Sequence, residues 1–297
     1  MRHSGKLLVG LAAFVTMVTG NITAARAQGF LELEQTPAFI GLGAGSVPDY
    51  KGSDDRSGGV APYARYTFAG QQRYVQLFAN ELSLNLVDSQ KYRFGPVINY
   101  HFGRDSDVED DVVRQMRDID GTVELGVFGD IAWVDAANPR NRLIVGGMLL
   151  QDAGGESDGL RARLSARYWR QVHRAVDVHV GAGFMYGNRK YNDHYFGINA
   201  DNVGSAPLPA YKADSGVHEA YINLGTALYL SKEWVLGAGL RYGRITGDAA
   251  DSPLVDQRGS ENRSSAALVW PTSGGVDCGG SITGPAGAHA CAMVRTP

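Results

Sequence analysis

From Leu160 to Tyr168 apolar or small residues hold every even position, while Arg161, Arg163, Ser165 and Arg167 hold the odd ones. After a polar break at 171–174 the rhythm resumes. Val176, Val178, Val180, Ala182, Phe184 and Tyr186 alternate with Asp177, His179, Gly181, Gly183 and Met185. Successive side chains on a strand point to opposite faces, so this stretch predicts a hairpin with one apolar and one charged face. The same period of two recurs at 39–47, 60–68, 81–87, 92–102, 121–133, 221–230, 234–242 and 262–270, with a weaker candidate at 73–79. The run 142–150 is apolar throughout and its register cannot be assigned from alternation.

About twelve strands result, near the ~10-residue length that a tilted membrane strand needs. Their connections alternate in length. Turns near residues 70, 89, 137, 172 and 232 are short, and those near 52, 110, 155, 200 and 252 are mostly long. Ala79-Asn80 breaks the alternation unless it is a tight turn on the long-loop side. Short turns at one end and long loops at the other are the asymmetry of outer-membrane barrels. Tyr92, Phe102, Trp133, Tyr168, Trp169, Tyr186, Trp234, Tyr242 and Trp270 cluster at strand ends, where interfacial aromatic girdles form. Between Arg104 and Asp120 the chain is strongly acidic. Val112, Val113, Met116 and Ile119 recur there at helical spacing, which predicts one short amphipathic loop helix. The longest irregular piece is 188–217.

The N-terminus sets the compartment. Arg2, His3 and Lys6 precede an apolar run at 7–18, and Ala25-Arg26-Ala27 follows in small-x-small form. This predicts a signal peptide over 1–27, cut before Gln28; the run is too short to span a bilayer of roughly 30 Å. No later apolar run is long enough for a transmembrane helix. An exported chain of this kind is either soluble or a closed barrel, the other structure that spans lipid. Composition favours the barrel: 39 of 297 residues are glycine, against a usual ~7%, and many lie inside alternating segments. A net charge of −3 excludes nucleic acid as an expected partner. The expected fold is thus an all-β antiparallel transmembrane barrel over 38–270. A periplasmic segment at 28–37 precedes it, and a Gly/Pro/Ala-rich, disordered tail at 271–297 follows. Cys278 and Cys291 lie in that tail, either paired in an oxidising compartment or incidental.

Several segments resemble the MltA-interacting protein (MipA)/OmpV family. They are Gly41-Leu42-Gly43-Ala44-Gly45 with Pro48-Asp49-Tyr50 and Gly52-Ser53-Asp54-Asp55, then Gly103-Arg104-Asp105 with Asp118-Ile119-Asp120-Gly121-Thr122-Val123-Glu124, then Tyr195-Phe196-Gly197-Ile198 and Gly247-Asp248-Ala249-Ala250-Asp251-Ser252-Pro253-Leu254-Val255. The resemblance covers roughly 38–270. It implies an outer-membrane protein, embedded in outer-membrane lipid. It also implies a non-catalytic scaffold for peptidoglycan maintenance, with a lytic murein transglycosylase and a penicillin-binding protein as periplasmic partners. A porin-like solute channel or an outer-surface adhesin is the alternative, and a lipid-modifying enzyme a weaker one. The tail departs from the resemblance, since such barrels end on an aromatic residue like Trp270; it is either a periplasmic extension or the product of a shifted frame.

Parity assigns the candidate chemistry. If even positions of the central hairpin face lipid, Arg161, Arg163, Arg167, Asp177 and His179 face the lumen, and Glu124, Asp130 and Arg241 join them. Such a set either closes the lumen with ion pairs or forms a charged constriction that selects solutes; at twelve strands a barrel sits between filled and open. The motif-bearing loop residues are Tyr50, Gly52, Asp54, Asp55, Asp248, Asp251, Ser252 and Pro253. The carboxylates among them are either divalent-cation ligands at the rim or ordinary turn caps. Lys232 and Glu233, in a short turn, are the periplasmic partner candidates. No catalytic residue, cofactor or metal site is expected: His173, His179, His194 and His218 are scattered, and His218-Glu219 lacks the second histidine of a zinc-protease helix.

Overall fold

The computed structural model describes residues 38–231 and 234–272. Twelve strands make one closed sheet: β1 (Ala38–Pro48), β2 (Arg56–Thr67), β3 (Tyr74–Phe78), β4 (Glu81–Asn85), β5 (Tyr92–His101), β6 (Thr122–Val134), β7 (Arg142–Asp152), β8 (Leu160–His173), β9 (Val176–Gly187), β10 (Gly216–Tyr229), β11 (Val235–Ile245) and β12 (Asn262–Thr272). Each strand pairs antiparallel with its sequence neighbours, and β1 pairs with β12 from Ile40↔Thr272 to Ser46↔Ala266, so the barrel has no free seam. Closure through β1 and β12 removes the open edge that an unrolled sheet would present.

Side chains follow the predicted parity. Leu164 is 59% exposed on the outer wall, and Arg161, three residues earlier on the same strand, is 3% exposed inside. Leu42, Leu125, Val180, Phe184, Ile222, Leu224 and Leu240 belong to the same outward apolar belt. β7 resisted assignment because both of its faces are apolar. Ile144, Met148 and Leu150 are buried inside while Leu143 and Leu149 point out, and Met148 and Leu150 pack with Val97 and Phe128. One expected girdle residue is misplaced. Trp169 is an odd position on β8, so it points inward at 2% exposure, 4.4 Å from the His179 ring and 5.1 Å from the Arg142 guanidinium.

At one end the connections are short, 68–73, 86–91, 135–141, 174–175 and 230–234. Lys232 and Glu233 belong to the last of these and lie outside the described residues, as do 1–37, where the signal and periplasmic segments were expected, and 273–297 of the expected tail, with Cys278 and Cys291; residues 271 and 272 instead complete β12. At the other end Ala79-Asn80 is the tight turn the alternation required, joining Phe78 to Glu81, with Ala79 at φ 53°. The remaining loops there are long and fold together as a lid. The predicted helix at 104–120 is corrected to a single 3-10 turn, Val113–Gln115. The apolar residues that suggested it are instead anchors: Val113, Met116 and Ile119 are buried against other loops. The true helix, α1 (Arg189–Phe196), lies in the stretch read as irregular, capped by the Asn188 side chain accepting from the Tyr191 N–H. A one-turn helix, α2 (Pro253–Asp256), follows β11.

Candidate functional site

Strand pairing brings the charged inward positions into layers. Near the lid, Glu124 on β6 is 2% exposed and accepts from Arg161 on β8, with Nη2 at 2.6 Å and Nε at 2.8 and 3.0 Å. Asn99 Nδ2 donates to the same carboxylate at 2.6 Å, and His101 Nδ1 lies 3.3 Å from it. A second hub is Glu219 on β10, which accepts from Arg241 at 2.6 Å and from Arg263 at 3.1 Å. Arg241 also stacks 3.6 Å over the Tyr221 ring. Buried charges persist only when paired and hydrogen-bonded, and both hubs meet that condition.

Half-way down, Arg163 reaches Glu81 across the lumen at 3.5 Å. Asp130, Arg163, Arg167 and Arg241 line a cavity of ≈ 60 Å³. At the short-turn end Asp177 accepts from Arg140 Nε at 2.9 Å and from the Tyr229 hydroxyl at 3.0 Å, while His179 is buried beside Trp169. The eight inward candidates therefore split among three levels and share no single constriction. Parity alone would have found Asn99, His101 and Arg263, since each is an odd neighbour of outward residues. Glu219 was hidden by a bulge between Val217 and Glu219, which buries both His218 and Glu219 and interrupts the alternation.

The motif-bearing loop residues build the lid. Tyr50 is buried and its hydroxyl donates to the Arg258 carbonyl at 2.8 Å. Burial and the nearby Asp110 and Asp54 carboxylates hold this phenol well above its ordinary range. Gly52 sits at φ +100°, where a Cβ would also lie 2.7 Å from Val255, so only glycine fits. Its carbonyl accepts from the Ser260 N–H at 2.8 Å. Ser252 is fully buried; it caps α2 by accepting from the Leu254 N–H and donates to the Phe196 carbonyl at 2.6 Å, tying α2 to the end of α1. Pro253 occupies the first turn of α2, where a missing N–H costs nothing. Asp248 accepts from the Asp214 N–H at 2.9 Å, while Asp54 and Asp251 are exposed. Desolvation, and then the charges of Asp54 and Asp49 beside it, raise the Asp55 carboxyl above its ordinary range. Among the described residues no group of three or more His, Cys, Asp or Glu side chains is arranged to hold a metal ion.

Lys51 leads from lid to lumen. It donates to the Tyr191 hydroxyl and lies 4.2 and 3.6 Å from the Tyr191 and Tyr195 ring centres. Below it a cavity of ≈ 80 Å³ reaches Arg161, His218 and Glu219.

The chain is 29% identical to outer membrane protein Omp26La of Vibrio anguillarum over 178 residues, 56% of this chain and 64% of that protein. It thus spans a little under two thirds of that relative. The putative outer membrane protein YiaT of Escherichia coli K12 is 24% identical over 255 residues, 82% of this chain and 95% of its own. The MltA-interacting protein of the same organism is 22% identical over 89 residues, 30% of this chain and 36% of its own. Among solved structures, an outer membrane channel from Pseudomonas putida F1 covers 84% of this chain and 99% of its own at a TM-score of 0.41 and 11% identity. The model of the family described as MltA-interacting protein MipA matches residues 40–270, which is the whole barrel from the first strand to Trp270. With its closed twelve-strand wall, apolar belt and ionic lumen, the chain belongs to the MipA family of outer-membrane proteins.

Proposed function

We propose that this chain is a non-catalytic outer-membrane barrel that serves as a periplasmic attachment point for peptidoglycan-remodelling enzymes. The observation that carries the reading is the occluded lumen. Ion pairs cross the lumen from β8 to β6 and from β8 to β4, the two cavities beside them measure ≈ 60 and ≈ 80 Å³, and buried loop residues pack together over the outer end. A water occupies about 30 Å³ of liquid, so each of these two spaces is of the order of a few waters. A barrel filled in this way offers its rims. Its outer loops cannot reach the murein layer, so the short periplasmic turns are the surface for partners. The family description, MltA-interacting protein, supports a partner of that kind; on this reading the partner is a lytic murein transglycosylase, and a penicillin-binding protein is the second enzyme brought alongside. Residues 1–27 act as the export signal.

The test is recovery of partners from detergent extracts with the full-length chain as bait. Reversing the turn charges, Lys232→Glu with Glu233→Lys, should cut recovery of the transglycosylase several-fold while the barrel still runs as a folded, heat-modifiable band. Undiminished recovery would remove that turn from the interface. A changed lipid A mass profile on overexpression would sink the non-catalytic assignment.

A further inference from the structure

The barrel wall has a gap on one side. β3 and β4 are only five residues each, so their hairpin stops part-way up. β2 pairs with β3 from Tyr63 to Thr67 alone, which leaves Arg56 to Pro62 without a ladder on that side, and β4 meets β5 only from Glu81 to Ser83. Among the described residues no ladder joins β2 to β5. The gap has a frame. Its sill is Ala79-Asn80, held by the Ala79 N–H to the Pro62 carbonyl at 2.8 Å and by the Tyr100 N–H to the Asn80 carbonyl at 2.9 Å. Its lintel is loop against loop: the Glu109 N–H donates to Asp49 Oδ2 at 3.4 Å, and Arg258 Nη2 to Asp110 Oδ2 at 2.6 Å. Leu82 and Tyr100, 41% and 45% exposed beside the sill, belong to the apolar belt. Backbone left unpaired beside an apolar belt is costly, so the gap is not a neutral feature of a barrel.

Behind the gap lies the ≈ 80 Å³ cavity, whose lining begins at Asn80 and Phe102 and continues to Arg161, His218 and Arg263. Lys51, Arg161, Arg241 and Arg263 line it against one carboxylate, Glu219, with Glu124 behind Arg161. His218, 3% exposed, has no hydrogen-bond partner for Nδ1 among the described residues, and neither has Arg263 for Nε. Buried polar atoms are nearly always hydrogen-bonded, so two such atoms facing one cationic cavity point to a group that binds there.

We propose that the gap is a lateral entry and that the cavity binds the head group of an anionic amphiphile, a single acyl chain ending in carboxylate or phosphate. The cavity has room for a head group and none for the chain, which leaves between Val60 and Phe102 into the outer leaflet. This reading is independent of the scaffold role: a barrel can hold a lipid through its wall and bind enzymes at its turns.

The experiment uses the full chain in nanodiscs, labelled with a diazirine-bearing hexadecanoic acid or with its methyl ester, and maps adducts by peptide mass spectrometry. The acid should label peptides containing Phe102 and residues 56–62 about tenfold more than the ester, and free acetate in large excess should not compete. Arg263→Gln should lower labelling by about tenfold, because a charge-assisted contact is lost while Arg241 keeps Glu219 paired. Should Arg263→Gln fail to give a heat-modifiable band, Lys51→Gln is read in the same way. Equal labelling by acid and ester would reduce the effect to ordinary lipid contact and overturn the proposal. So would labelling unchanged in the folded variant, and so would displacement by acetate, which would make the cavity a small-anion site.

Discussion

Glu124 and Arg161 are the residues on which the upper lumen turns. Three Arg161–Glu124 hydrogen bonds, with Asn99 and His101 around them, hold two fully buried charges in place. Removing one partner strands the other in a low-dielectric interior, so Glu124→Ala should destabilise the barrel by about 3–5 kcal/mol. The double variant Glu124→Ala/Arg161→Ala removes the pair as a unit and should cost less than the sum of the two single changes. Urea unfolding of detergent-refolded protein, followed by tryptophan fluorescence, measures the cycle; additive losses would mean that the pair is not coupled. The identity and inward direction of both residues were readable from odd–even parity. Their partnership was not, because they sit on strands separated by β7 and meet only across the curved inner surface.

Among the elements, the lid depends on α2 and the loops it ties together. Ser252→Ala loses the cap of α2 and the hydrogen bond to the Phe196 carbonyl at once. A cap alone is worth about 1 kcal/mol, so proteolysis in 246–261 should accelerate about fivefold or more, with the barrel strands still protected. A second clasp is the Asp110–Arg258 pair, 2.6 Å long, which joins the 102–121 loop to the one after β11. Burial pushes the Asp110 carboxyl up, but Arg258 and the Val112 and Val113 amides outweigh it and hold it below its ordinary value. A carboxylate depressed in the folded state stabilises at pH values above its unfolded pKa of about 3.9, and that stability is lost as pH falls through the lowered value. Hydrogen exchange in 102–121 should therefore stay slow from pH 7 to about 4 and rise only below that. Fast exchange already at pH 6 would show that the clasp contributes nothing. Here the sequence pattern misled: Val113, Met116 and Ile119 have helical spacing, yet they are separate anchors into neighbouring loops. Periodicity records which residues are buried, and in a lid of packed loops burial does not require a helix.

For the whole molecule, the filled lumen and closed lid predict electrical silence. In planar bilayers the purified protein should give no stepwise conductance at moderate voltage. Openings whose size changes with Arg163→Ala would favour a porin-like channel over an attachment point, since Arg163 spans the lumen to Glu81. Silence at the conductance level leaves lateral binding intact, because a chain entering through the wall carries no ion across it.

The twelve strands, the inward and outward faces of those other than β7, and the two unequal ends were set by local sequence. Alternation is a property of single residues against the pleat, and loop length is a property of the chain between strands. Tertiary structure decided which charges become partners, that β3 and β4 stop short of their neighbours, and that the loops close into a lid. Those outcomes depend on register, curvature and contacts between segments far apart in sequence, such as Tyr50 with Arg258, and no local pattern encodes the distance between them.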